Sequence, residues 1–87
     1  AIGCAQMEKF DEIIKNKRET AERYQDFCRL HGIRFILEPE GARSNYWLNA
    51  VWLEDSKAQM KLLEMGAGIG VQFRPPWQPL HTLPMYE

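Results

Sequence analysis

Ala42-Arg43-Ser44-Asn45-Tyr46-Trp47-Leu48-Asn49-Ala50-Val51-Trp52-Leu53 is the stretch on which the fold turns. Successive side chains of a strand point to opposite faces. Tyr46, Leu48, Ala50 and Trp52 then share one face, and Trp47, Asn49, Val51 and Leu53 the other. Both faces are largely apolar, which predicts a central strand covered on both sides. Asn49 becomes a polar group in a covered place, its amide bonded to backbone or, as the alternative reading, to a ligand. Just upstream, Glu38-Pro39-Glu40-Gly41 reads as a turn from its proline and glycine. Residues 33–37 form a first strand, with Ile33, Phe35 and Leu37 on one face.

Residues 2–31 read as one long helix. Met7, Phe10, Ile14, Ala21, Tyr24 and Cys28 recur at helical spacing, and Ile13 and Phe27 widen the stripe. Lys17, Arg18, Glu19, Glu22 and Arg23 belong to the opposite, charged face, read as solvated. Gly32 is the expected stop, because glycine accepts the left-handed conformation without steric cost. Downstream, Ser56-Lys57-Ala58-Gln59 fits a capping box. That helix runs to about Met65, with Met60 and Leu63 inward, until Gly66, Gly68 and Gly70 break it. These glycines follow a helix, whereas a phosphate loop needs them before one. Residues 71–74 read as a short third strand, ended by Pro75. The expected fold is α+β, in the order α-β-β-α-β, with a three-stranded, mostly antiparallel sheet.

Four of the five prolines fall in residues 74–87. Proline removes an N–H and fixes φ, so this segment is neither a helix nor a central strand. Trp77, Leu80, Leu83, Met85 and Tyr86 make it too apolar for a solvated tail. Two readings stand. The arm covers the chain's own sheet, or it docks on another domain or subunit and brings Arg74 and His81 to a shared site.

The 87 residues suit one small domain. A net charge of −1 provides no basic field for nucleic acid or an anionic membrane. No apolar run approaches the roughly 20 residues that span a bilayer. The start, Ala1-Ile2-Gly3-Cys4-Ala5-Gln6, has neither an initiator methionine nor the pattern of a signal peptide. The expectation is a piece of a longer cytoplasmic protein. Cys4 and Cys28, on one helix, would lie about 36 Å apart at 1.5 Å per residue. Both therefore read as reduced thiols. Cys28, His31 and His81 lack the second short-spaced pair that would mark a zinc site.

No nucleophile, base and carboxylate fall into a catalytic pattern. Lys9, Lys15, Lys17, Lys57 and Lys61 all lie on expected helix surfaces, so none is the desolvated lysine a Schiff base needs. What remains is recognition chemistry. Arg74 offers a fork for phosphate or carboxylate. Ser44, Asn45 and Tyr46 open the central strand, where they can face a ligand. His81 could donate, accept or relay a proton. Trp77 and Tyr86 supply flat surfaces for stacking. The structural alternatives are a surface cation at Arg74, a polar arm residue at His81 and arm anchors at Trp77 and Tyr86.

Ser44-Asn45-Tyr46-Trp47-Leu48-Asn49-Ala50, then Gly68-Ile69, Arg74-Pro75-Pro76-Trp77 and Pro79-Leu80-His81-Thr82-Leu83-Pro84-Met85-Tyr86, resemble the C-terminal region of the DegT-type (DegT/StrS) nucleotide-sugar aminotransferases. These are pyridoxal-phosphate enzymes of the aspartate-aminotransferase fold. The opening Ala1-Ile2-Gly3-Cys4-Ala5-Gln6-Met7-Glu8 is similar to their helix linking the large and small domains. The resemblance covers nearly the whole chain. It implies a small C-terminal domain, with an interdomain helix at 1–31, sheet and helix at 32–74 and an extended arm at 75–87. It implies pyridoxal phosphate in the parent and none on these residues alone, since the Schiff-base lysine belongs to the large domain. It also implies a cytoplasmic homodimer that moves an amino group, from a donor such as glutamate, onto a 4-keto nucleotide sugar for surface glycans. Ser44, Asn45 and Tyr46 would approach the cofactor–substrate region. Arg74, Trp77, His81 and Tyr86 would line the sugar-nucleotide side. Phe73 departs from the relatives, which more often carry a small or polar residue there. The competing class is a stand-alone α+β module that binds a ligand or RNA without catalysis.

Overall fold

The computed structural model describes residues 1–86; Glu87, the last residue of the expected arm, lies outside the described residues. The chain divides into two compact units, Ala1–Trp52 and Leu53 onward.

In the first unit the expected long helix is two. Helix α1 (Ile2–Glu8) and helix α2 (Phe10–Leu30) meet at Lys9, where φ −111° and ψ 13° leave the helical range. Helix α2 ends as expected. Gly32 has φ +66°, and the Ile33 N–H donates to the Cys28 carbonyl at 2.8 Å while the Gly32 N–H donates to that of Arg29 at 3.4 Å. This is the paired closure of a Schellman motif.

The buried line of α2 is not the one hydropathy predicts. Ala21 and Cys28 are buried, and Ile14, Arg18 and Gln25 are half-buried beside them. The steps of four, three, four and three keep all five on one face. Met7, Phe10, Tyr24 and Phe27, expected in the stripe, are exposed. Arg18, expected on the solvated face, is in the buried line.

Helix α2 packs against strand β1 (Arg34–Phe35), which pairs antiparallel with β2 (Val51–Trp52), Arg34 opposite Trp52 and Phe35 opposite Val51. The Ile36 N–H extends the ladder to the Ala50 carbonyl at 2.9 Å. Arg34 lies 5.5 Å from the ring centroid of its partner Trp52, a cation–π contact across the pair. Both strands are far shorter than expected. Residues 42–50 do not form the central strand: the N–H groups of Ser44, Tyr46 and Trp47 are taken by side chains, and Tyr46 has φ +47°. Trp47 and Leu48 are each 65% exposed, and Asn49 is exposed rather than covered.

In the second unit helix α3 (Ser56–Gly68) starts from Asp55, not Ser56. The Asp55 carboxylate accepts the Ala58 N–H at 2.8 Å. Asp55→Ala is expected to cost about 1 kcal/mol of stability, and Ser56→Ala only a few tenths; urea unfolding of the two variants checks the assignment. The helix continues past Met65 through Gly66 and Gly68. It stops at Gly70, φ +76°, where Val71 donates to the Gly66 carbonyl at 2.8 Å and Gly70 to that of Ala67 at 3.3 Å, a second Schellman closure. Ala58, Gln59, Leu62 and Leu63 face inward with Gly66, while Met60 is exposed. Residues 71–74 form no strand among the described residues, so the sheet has two strands and not three. The arm is not uniformly extended. Residues 75–79 are irregular, and two 3₁₀ turns, Leu80–Thr82 and Pro84–Tyr86, follow. Short turns of this kind tolerate proline at their start.

Candidate functional site

One ion pair organises the polar centre of the first unit. The half-buried line of α2 brings Arg18 under the turn that follows β1. There the Ala42 N–H closes on the Pro39 carbonyl at 3.1 Å, and Gly41 takes φ +77°. Arg18 grips Glu38 with both ends of its guanidinium, Nη1 to Oε2 and Nη2 to Oε1, each at 2.9 Å. Nη1 also donates to the Ser44 carbonyl at 2.6 Å. The Ser44 N–H returns to Glu38 Oε2 at 2.6 Å. Residue 44 is thus held at both backbone polar groups by the two halves of one ion pair.

Two further bonds carry the order onward. The Glu38 N–H donates to the Tyr46 hydroxyl oxygen at 3.1 Å, and Ser44 Oγ accepts the Tyr46 N–H at 3.0 Å. The Tyr46 ring lies 5.5 Å below the Arg18 guanidinium carbon and 6.4 Å from the Phe35 ring. These contacts hold Tyr46 in the left-handed region, which a side chain with a Cβ enters only when its surroundings fix it. The next link, Asn45 Oδ1 accepting the Trp47 N–H at 3.0 Å, turns the chain outward.

The electrostatics follow from this geometry. The hydrogen bonds from Arg18, then that from the Ser44 N–H, pull the Glu38 carboxyl down from 4.5 to about 2, against the opposing effect of desolvation. The same pairing raises Arg18 above its usual value. Beside the pair lies a depression of about 130 Å³ lined by Arg18, Ala21, Glu22, Gln25, Glu38 and Tyr46. A wider, open one on α2 is bordered by Asp11, Glu19 and Glu22 against Lys15, Arg18 and Arg43, so its charges balance.

Of the expected site residues, Ser44, Asn45 and Tyr46 fall together here. Ser44 and Tyr46 are spent on internal bonds, and Asn45 is exposed. Arg74, Trp77, His81 and Tyr86 belong to the second unit, and all four are exposed. Trp77 is 85% exposed in the irregular stretch, His81 sits in the first 3₁₀ turn and Tyr86 in the second. Arg18 and Glu38 are functional candidates that the sequence reading missed. The signal for Arg18 was its place in the four-three repeat from Ile14 to Cys28; Glu38 carries no comparable mark.

All five lysines are exposed. The residues present therefore do not fit the lysine end of a pyridoxal-phosphate site, which needs a desolvated amine. No group of three or more metal-ligating side chains forms among the described residues, and no described helix is long and apolar enough to cross a membrane.

The fold is α+β, and in the first unit an ion pair holds the loop at residues 44–47. The chain belongs to the DegT/DnrJ/EryC1/StrS aminotransferase family, whose model matches residues 1–87. It is 37% identical, over an alignment of 92 residues, to the GDP-perosamine synthase of Vibrio cholerae, covering 100% of this chain and 24% of the relative. It is 32% identical to EpsN of Bacillus subtilis (strain 168), assigned as a pyridoxal phosphate-dependent aminotransferase, over 99% of this chain and 22% of the relative. The GDP-perosamine synthase of Escherichia coli O157:H7 is 30% identical over 100% and 24%. The chain thus spans about a quarter of the length of these relatives. No solved structure matches it.

Proposed function

We propose that this chain is the small C-terminal domain of a pyridoxal-phosphate aminotransferase that moves an amino group from an amino acid such as glutamate onto a 4-keto nucleotide sugar. The observation that carries the reading is the match of the whole chain to the aminotransferase family, with GDP-perosamine synthases among the relatives. Residues 1–31 would link the domains, 32–74 would form the domain body and 75–87 the arm. The cofactor and its lysine lie in the rest of the polypeptide, in keeping with five exposed lysines here. The domain's part is to form one wall of the cleft, with the loop at Ser44, Asn45 and Tyr46 toward the reacting region and Arg74, Trp77, His81 and Tyr86 toward the sugar nucleotide. The working enzyme is a cytoplasmic homodimer, and the residues of this chain alone are inactive and bind no cofactor.

The protein expressed from the whole reading frame, given ¹⁵N-glutamate and a panel of GDP-, UDP- and dTDP-linked 4-keto sugars, is expected to yield one ¹⁵N-labelled 4-amino nucleotide sugar. Turnover of glutamate with simple keto acids, and with no member of the panel, would contradict the reading.

A further inference from the structure

We propose that Asn45 and Trp47 form a contact for the acceptor sugar, and that Arg18 and Glu38 are the positioning residues that hold this tip. The inference rests on the aminotransferase reading and deepens it. Trp47 did not stand out as a site residue in the sequence, where it reads as one face of a covered strand. The structure leaves Trp47 65% exposed, on a backbone held by bonds to the N–H groups of residues 44, 46 and 47 and to the carbonyl of residue 44. Arg18 and Glu38 hold residue 44 at its carbonyl and its N–H. Ser44 Oγ fixes the Tyr46 N–H, and Asn45 Oδ1 fixes the Trp47 N–H. Tyr46 is locked from below by Arg18, Phe35 and the Glu38 N–H.

Since Asn45 Oδ1 is taken by Trp47, its Nδ2 keeps two donors for an outside acceptor. Among the described residues that nitrogen makes no hydrogen bond. The tip therefore presents a flat indole beside a pair of amide donors. A pyranose offers the complement, a face of polarised C–H groups that lies on an aromatic ring and hydroxyls that accept from an amide. Glutamate, the donor, carries two carboxylates and calls for a cationic fork; residues 44–47 carry no cation, and Arg18 commits three of its N–H groups to Glu38 and Ser44. An indole face beside two amide donors is the complement of the acceptor sugar.

Holding the tip in advance matters because a loop ordered only on binding subtracts its ordering entropy from affinity. The ion pair is the device, since one carboxylate and one guanidinium fix both backbone groups of residue 44. Loss of the Glu38 carboxylate releases its grip on the Ser44 N–H and on the Arg18 guanidinium together, while the bond from the Glu38 backbone N–H to the Tyr46 hydroxyl remains.

The test uses the full-length holoenzyme and the 4-keto nucleotide sugar that the wild type turns over. Trp47→Ala and Glu38→Gln are each expected to raise KM for that sugar by about 10-fold or more. The half-reaction with glutamate, followed by the cofactor's visible spectrum, should stay within about twofold of wild type. A purely structural role would depress both half-reactions together. Trp47 is 65% exposed among these residues, so Trp47→Ala opens no cavity in them and decides the matter even where Glu38→Gln yields no soluble enzyme. An unchanged sugar KM in Trp47→Ala overturns the proposal, as does an equal loss in both half-reactions. A wild type that aminates no nucleotide sugar takes down the aminotransferase reading and this inference with it; an active wild type with indifferent variants takes down this inference alone.

Discussion

Gly66→Ala lowers stability by about 1–2 kcal/mol, whereas Gly68→Ala, two residues along the same helix, raises it by a few tenths to about 1 kcal/mol. Both substitutions gain helix propensity, worth at most about 1 kcal/mol. At Gly68 a new Cβ meets nothing within 4 Å. At Gly66 it collides with the Phe73 ring and comes 2.6 Å from the Val71 carbonyl oxygen. The ring could swing aside, but the Val71 backbone is tied to the Gly66 carbonyl by the 2.8 Å Schellman bond. Overpacking against an immovable neighbour costs about 1–3 kcal/mol and exceeds the propensity gain. Urea unfolding of both variants measures the opposed signs; equal stabilisation would mean that Phe73 is not seated on this glycine. The two positions are coupled, since the Phe73 ring occupies the space that a side chain at 66 would need.

Glu38→Gln flattens the acid limb of the stability curve by about one proton between pH 4.5 and pH 2, and makes the protein less stable at neutrality. The sign follows from the direction of the shift. The folded carboxyl titrates near 2 and the unfolded one near 4.5. Within that window the unfolded chain binds the extra proton. The stabilising contribution of Glu38 is therefore complete above about pH 4.5 and is lost as the pH falls toward 2. Glutamine does not titrate, so its variant lacks this component. Both side chains of the pair are 26% exposed, so added salt should weaken the wild type more than the variant. Urea midpoints across pH 2–7 give the two slopes; identical slopes would mean that the carboxylate is not held by Arg18 and Ser44.

Much of the helical skeleton was legible because it rests on local signals. Gly32 stops α2 where the sequence places the stop, since a left-handed residue is needed there and only glycine takes it freely. The start of α3 was off by one residue because Asp55 and Ser56 are both good caps, and only the backbone geometry chooses Asp55. The end of α3 was misplaced because three glycines looked alike. Gly70 stops the helix, Gly66 makes room for Phe73, and the surroundings of Gly68 are open.

The sheet was the least legible part. Alternation from Tyr46 to Leu53 is a genuine strand pattern, but Ser44 and Asn45 compete for the N–H groups that a ladder would use. Only the last residues of the pattern, Val51 and Trp52, pair. Third-strand character at 71–74 was read from short apolar content alone, and the Schellman closure at Gly70 uses the Val71 N–H instead. The surroundings of the Arg18–Glu38 pair were partly legible. Ser44, Asn45 and Tyr46 are visible as a polar opening to an apolar run. Arg18 was hidden because hydropathy assigns every arginine to the outside, while this one is neutralised 20 residues away by Glu38.

The central claim is that these residues form a recognition wall for a centre whose lysine lies elsewhere in the polypeptide. Peptide mapping of the borohydride-reduced, full-length protein tests it most directly. The account predicts a single pyridoxyl-labelled lysine on a peptide outside these 87 residues. A label on Lys9, Lys15, Lys17, Lys57 or Lys61 would contradict it.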